Sequence, residues 1–107
     1  MASLSTKLFA TGLIFLATAM QSQAAEPRAR RGYRFAITNC SRCHAIGPVG
    51  ESPLKIAPPF RTLHDRYEID DLAEAFAEGI VTGHPSMPEF KLDGAEIDDL
   101  LAYLKTP

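Results

Sequence analysis

The chain has 107 residues and a formal net charge of −2. This length leaves room for one domain, and the balance gives no support for nucleic-acid binding, which favours a net basic domain. The charges are unevenly distributed: residues 25–62 carry seven basic and two acidic side chains, whereas residues 63–107 carry three basic and 11 acidic ones. Such a dipole can orient a protein towards a charged partner, although solvated helix faces would also account for it.

The first 24 residues have the order of a secretory signal peptide. Lys7 supplies a positive charge, residues 8–20 form an apolar run of 13 residues, and small residues precede the expected cleavage site after Ala24. The run is shorter than the roughly 20 residues that a membrane-spanning helix needs, and no cysteine for lipid attachment lies in this stretch. We therefore predict export to the periplasm and a mature domain at residues 25–107 without stable membrane insertion. An uncleaved N-terminal anchor is the alternative.

In the mature region, helix-favouring segments are separated by stretches rich in proline and glycine. Residues 29–40 contain no proline and a single glycine, and they predict a helix that runs into the first cysteine. Residues 45–59 hold six glycines and prolines, too many for a regular element, so they predict a long loop. A short helical turn is expected at residues 60–64.

The clearest amphipathic segment covers residues 69–80. Its apolar side chains recur at three- and four-residue spacing with acidic residues between them, which predicts a helix that Gly79 or Gly83 ends. A second loop is expected at residues 81–94 and a closing helix at residues 95–104. Because no segment alternates convincingly between polar and apolar residues, we predict an all-α fold with three main helices and long loops.

The sequence Cys40-Ser41-Arg42-Cys43-His44 is the C-x-x-C-H arrangement by which haem c is attached to a protein. Its spacing lets two thiols add to the two vinyl groups of one haem, while the histidine that follows reaches the iron. Export favours this interpretation, because the attachment is made outside the cytoplasm. The pattern therefore predicts one covalent haem c in the mature domain.

Three other interpretations of the two cysteines fit less well. A thioredoxin-like site needs a strand before the motif, and no strand is predicted there. A zinc site needs a second pair of ligands, which His64 and His84 do not supply at a matching spacing. A disulfide between Cys40 and Cys43 would leave His44 without a use.

The iron of an electron-transfer haem needs a sixth ligand. Met87 is the single methionine outside the predicted signal peptide, and it lies between two prolines in a polar loop. Filling a hydrophobic core, the commoner use of methionine, explains such a position poorly. We predict Met87 as the sixth ligand, with His84 and His64 as the alternatives.

Throughout its mature length the chain resembles the class I cytochromes c. The C-x-x-C-H motif lies near the N-terminus, residues 87–90 look like the family's methionine loop, and residues 97–104 are similar to its closing helix. The resemblance implies thioether bonds at Cys40 and Cys43, with His44 as the proximal ligand of the iron and Met87 as the distal one.

The resemblance extends to residues around the haem. It implies that the Pro58 carbonyl accepts a hydrogen bond from the proximal imidazole, and that Gly32 is the small residue where the first and last helices touch. The aromatic residue often found four positions before the first cysteine is Ala36 here. Because the chain has no tryptophan, Tyr67 or Arg61 is expected to serve a haem propionate in its place.

The implied function is that of a soluble periplasmic electron carrier rather than an enzyme. One covalent haem c would pass single electrons between redox protein partners such as an oxidase, a reductase or a dehydrogenase, and the protein would act as a monomer. The alternatives are a dedicated cytochrome subunit or acceptor of one periplasmic dehydrogenase, a haem peroxidase and a gas sensor. The last two need an open or easily vacated position on the iron.

Overall fold

In the part of the chain that the structure describes, three α-helices and two 3₁₀ helices build the domain. The computed structural model describes residues 26–80 and 84–107, and the predicted signal peptide, residues 1–24, lies outside the described residues. The elements in chain order are α1 (Arg28–Asn39), a 3₁₀ helix (Phe60–Asp65), a second 3₁₀ helix (Ile69–Asp71), α2 (Leu72–Glu78) and α3 (Gly94–Leu104). The predicted all-α fold with three main helices is confirmed.

Helix α1 runs from Arg28 to Asn39, one residue earlier at each end than the sequence predicted. The carbonyl of Pro27 accepts hydrogen bonds from the first turn, from Arg30 N at 3.0 Å and Arg31 N at 3.2 Å. Gly32 and Ala36 are its buried residues, and their spacing of four puts them on one face of the helix. This narrow face of small side chains lets another helix approach closely.

Helix α3 is that neighbour, and it crosses α1 at Gly32. A Cβ atom added to Gly32 would lie 1.9 Å from the backbone oxygen of Asp99, so only glycine fits at the crossing. Beside it, the Arg31 guanidinium donates two hydrogen bonds to the Asp99 carboxylate, both at 2.8 Å. The rings of Tyr33 and Tyr103 lie 5.3 Å apart between the same two helices. The small-residue contact that the family resemblance implied is present.

A capping box starts helix α3. The Asp93 carboxylate accepts from Glu96 N at 2.8 Å, and the Glu96 carboxylate accepts from Asp93 N at 3.0 Å. These two bonds satisfy donors that a helix N-terminus otherwise leaves unpaired. The helix then buries Ile97, Leu100 and Leu101, which recur at the three- and four-residue spacing of one helix face.

Helix α2 is shorter than the amphipathic segment that predicted it, because residues 69–71 form a 3₁₀ turn before it. Gly79 follows the helix at φ +103°, a conformation that favours glycine. Of the two glycines that the sequence offered, Gly79 therefore ends α2. The next residue, Ile80, pairs with Phe90 through a backbone N–H···O bond of 3.1 Å, which is an isolated bridge.

The buried side chains of the three helices meet in one cluster. Ala36 from α1, Phe76 from α2 and Leu100 from α3 belong to it, together with Ile80 and Leu92 from the following loop. None of the helices among the described residues is long and apolar enough to cross a membrane.

Candidate functional site

The C-x-x-C-H motif forms a tight turn directly after α1. The Cys40 carbonyl accepts hydrogen bonds from the backbone N–H of Cys43 at 3.1 Å and of His44 at 2.9 Å. This turn presents both thiols and the imidazole within five residues. Neither cysteine is in a disulfide, and both are half-buried. Burial raises the pKa of the Cys40 thiol to about 11, so this thiol is protonated at neutral pH.

The imidazole of His44 is buried and held in one orientation. Its Nδ1 lies 2.7 Å from the carbonyl oxygen of Pro58, and its ring lies 5.3 Å from the ring of Phe60. Burial lowers the pKa of His44, with the Pro58 hydrogen bond acting in the opposite direction. Because a carbonyl can only accept, Nδ1 carries the proton, and Nε2 is left with a lone pair for a metal ion.

Backbone bonds hold the 45–59 loop against this turn. Phe60 N donates to Ala45 O at 2.9 Å, and Leu54 N donates to Cys43 O at 3.1 Å. The hydroxyl of Tyr103 on α3 donates to the backbone carbonyl of Ile46. The loop has no regular structure, as predicted, but these contacts fix its two ends around His44.

A cavity of about 330 Å³ lies beside the turn. All three α-helices and both loops contribute to its walls, which are mostly apolar. The residues that line it include Phe35, Cys40, Cys43, His44, Pro58, Phe60, Leu63, Tyr67, Leu72, Phe76, Ile80, His84, Met87, Phe90, Leu100 and Leu104. Phe35 supplies the aromatic wall near the motif, whereas Ala36 is fully buried, so an aromatic residue at position 36 would not fit.

The 84–90 loop forms the wall of this cavity that carries Met87 and His84. Met87 N donates to His84 O at 3.0 Å, so the two residues belong to one turn, and both side chains line the cavity. His84 Nδ1 lies 3.1 Å from Ser86 Oγ. The His84 and His44 rings are 5.8 Å apart.

The remaining sequence candidates divide between this cavity and a second cleft. Tyr67 lines the cavity and is 41% exposed, so it lies at the cavity's mouth. Arg61 and His64 line the second cleft instead. The His64 side chain is 67% exposed and its Nε2 lies 3.2 Å from Asp65. Of the two residues suggested for a propionate, Tyr67 is therefore the one beside the cavity, and His64 lies outside it.

The donor set of the cavity fits a haem better than a bare metal ion. Two thiols on one turn, an oriented imidazole and a thioether meet around an apolar space, which matches the ligands of haem c. A buried polar atom, His84 Nε2, has no hydrogen-bond partner among the described residues. By contrast, residues 26–80 and 84–107 contain no group of three or more His, Cys, Asp and Glu side chains that could hold a metal ion by themselves.

Two contacts at the site have no signal in the sequence. The ring of Phe60 packs on His44, and the hydroxyl of Ser86 lies beside His84. The role of Pro58 was expected from the family resemblance alone, because no local pattern in the sequence indicates a hydrogen bond between His44 and Pro58.

An all-α domain whose first helix is followed directly by C-x-x-C-H beside an apolar cavity is a c-type cytochrome domain. Residues 27–104 match the family described as "Cytochrome C oxidase, cbb3-type, subunit III", and the chain belongs to this family of class I c-type cytochromes. No curated protein and no solved structure gives a significant match. Family membership implies a haem c domain for electron transfer, and Cys40 and Cys43 fit its covalent attachment.

Proposed function

We propose that the chain is an exported, monomeric electron carrier that holds one haem c, with His44 and Met87 as the two axial ligands. The observation that supports this most strongly is the oriented His44. Its Nδ1 is taken by Pro58 O at 2.7 Å, which leaves Nε2 for iron in a cavity that both cysteines and Met87 also line. When bound, haem supplies reversible one-electron chemistry between ferric and ferrous iron.

The residues around the cavity suit electron transfer. A thioether ligand favours the ferrous state, as does an apolar environment that excludes water. His44 and Met87 would hold the iron of a bound haem between them, and this pair of ligands would keep exogenous ligands from the iron. Arg42 and Tyr67 line the cavity and are exposed, which marks the edge that a redox partner would approach.

A peroxidase or a gas sensor is the competing class of function. Either needs an open position on the iron, and a peroxidase also needs an acid–base group aimed at that position. His84 lines the cavity and is the residue that could take that role. The identity of the sixth ligand therefore separates a carrier from an enzyme or sensor.

The deciding experiment is a comparison of the oxidised wild type with Met87→Ala. We expect the wild type to show the sulfur-to-iron charge-transfer band at the red end of the visible spectrum, and Met87→Ala to lose it. We also expect a lower reduction potential in the variant, because a thioether raises the potential. His64→Ala, in a histidine outside the cavity, is the matched control and should keep both properties. If the wild type lacks the band, Met87 is not the sixth ligand of the iron.

The number of haems and the site of action need separate measurements. A pyridine haemochrome assay should return one haem per chain that acid–acetone does not extract. The exported protein should begin at Ala25, as judged by intact mass, if residues 1–24 are a cleaved signal peptide. A mass that includes these residues would favour the N-terminal anchor.

The electron partner is proposed at the level of class. The family's description names an oxidase subunit, which supports an oxidase as the acceptor, and a periplasmic dehydrogenase is the competing partner. The excess of basic residues before residue 63 and of acidic residues after it would orient the encounter. Co-purification with the oxidised and then the reduced protein distinguishes the cases, because a dedicated subunit stays bound in both states and a diffusing carrier in neither.

A further inference from the structure

We propose that His84 is a reserve ligand of the haem iron, which binds on the Met87 side whenever the Met87 thioether leaves. This inference rests on the proposed function, since it requires a haem between His44 and the 84–90 loop. It goes further by giving the Met87 side of the iron a second candidate ligand, so that loss of Met87 exchanges one ligand for another and does not open the site.

The separation of the two imidazoles carries the inference. The ring centroids of His44 and His84 lie 5.8 Å apart, and both side chains line the cavity. Two imidazoles on opposite sides of one metal ion have centroids about 6 Å apart, since metal–nitrogen bonds are about 2 Å long. His84 is therefore near enough to be a ligand without a change in the helices.

The free nitrogen of His84 points to the same role. Its Nε2 is buried and has no hydrogen-bond partner among the described residues. A buried polar atom without a partner is costly, and most such atoms in proteins are paired. In the described part of the chain, the surroundings of His84 leave Nε2 without a partner, in a cavity whose expected occupant is an iron-containing group.

Ser86 lies beside Nδ1 of His84, as Pro58 lies beside Nδ1 of His44. Ser86 Oγ lies 3.1 Å from His84 Nδ1, and Pro58 O lies 2.7 Å from His44 Nδ1. Histidines that bind metals usually donate their other ring N–H in this way, which fixes the tautomer and the ring orientation. The Ser86 hydroxyl can accept from Nδ1 or donate to it. When it accepts, Nε2 keeps its lone pair for the iron.

The exchange is local and balanced. His84 and Met87 share one turn, closed by the 3.0 Å bond from Met87 N to His84 O. With haem bound, the bond between Met87 Sδ and iron would break and one between His84 Nε2 and iron would form, with the oxidation state of the iron unchanged. In the tautomer with its hydrogen on Nδ1 no proton would move, because the thioether would leave as a neutral group.

The test compares Met87→Ala with Met87→Ala/His84→Ala, and uses Met87→Ala/His64→Ala as the matched control. We expect ferric Met87→Ala and the His64 control to be low-spin by electron paramagnetic resonance without added ligand. The His84 double variant should be high-spin. If His84 occupies the iron about nine-tenths of the time, carbon monoxide binds ferrous Met87→Ala about tenfold more weakly than it binds the His84 double variant.

The outcomes separate the two proposals. A high-spin Met87→Ala, or a low-spin signal that survives in the His84 double variant, overturns the role of His84. The charge-transfer band of the wild type reports on Met87 alone, so its absence overturns the proposed Met87 ligation and not the geometry of His84. Met87→Leu keeps the apolar volume of the turn without the sulfur, and it repeats the comparison if the alanine variant does not accumulate.

Discussion

The crossing of α1 and α3 makes Gly32→Ala the sharpest test of the described packing. An added Cβ would lie 1.9 Å from Asp99 O, 2.6 Å from Asp99 C and 2.9 Å from Tyr103 Cβ. Ordinary contacts of a Cβ begin at 3.4 Å, so the helices must separate by about 1.5 Å at this point. Two of the three atoms are backbone, and no rotamer change relieves the clash.

Two effects of opposite sign set the magnitude. Overpacking of a well-filled site costs about 1–3 kcal/mol, and a clash with helix backbone belongs at the upper end. Replacing glycine by alanine inside a helix gains about 1 kcal/mol of helix propensity. The free energy of unfolding should therefore fall by about 2 kcal/mol, which lowers the melting temperature by about 8–16 °C in a domain of this size.

The assay is denaturant unfolding of the haem-loaded, oxidised protein, followed by far-ultraviolet circular dichroism and by haem absorbance. Gly47→Ala is the matched control, since nothing lies within 4 Å of its added Cβ; its stability should change by less than about 0.5 kcal/mol. If Gly32→Ala is at least as stable as the wild type, the gain in helix propensity outweighs the clash between the added Cβ and the backbone of Asp99. The helices would then cross at a greater distance than described.

Two further predictions concern the contacts of α3. Arg31 hydrogen-bonds the Asp99 carboxylate and holds its pKa below the ordinary 3.8, so this carboxylate stabilises the fold at higher pH and loses its effect as pH falls through the lowered pKa. The difference in unfolding free energy between the wild type and Asp99→Asn should be constant above about pH 5 and shrink below about pH 4; a constant difference down to pH 2 would contradict the pairing. Tyr103→Phe removes the hydrogen bond to Ile46 O and should lower the free energy of unfolding by about 1 kcal/mol. Amide hydrogen exchange in the 45–59 loop should also become faster, and unchanged exchange there would show that the hydroxyl does not restrain the loop.

The sequence predicted the helices and the haem motif because both depend on local rules. The amphipathic spacing of residues 69–80 and the prolines of residues 45–59 are visible in short windows. The choice between Gly79 and Gly83 was open, since both are glycines after an apolar run. The structure shows that Gly79, with its positive φ, ends α2. Backbone dihedral angles cannot be derived from the amino-acid composition.

The contacts between distant segments could not be predicted in the same way. Arg31 and Asp99 are 68 residues apart, and each is one of many residues of its charge. Their pairing follows from the crossing of α1 and α3 at Gly32, and only the family resemblance pointed to that crossing. The hydrogen bond from His44 to Pro58 was likewise expected from resemblance, because the two residues are 14 positions apart in sequence and the segment between them is a loop with no periodicity.

The cavity explains why a chain of this size needs more than its own side chains. Leu100, the largest fully buried side chain of the described residues, lines the cavity together with Phe76 and Ile80. These side chains face a shared space where a larger protein would pack further residues. A domain of about 80 residues buries too small a fraction of its surface to be robust. A covalently held haem would supply the missing contacts, so that the cofactor of the proposed function also completes the hydrophobic core.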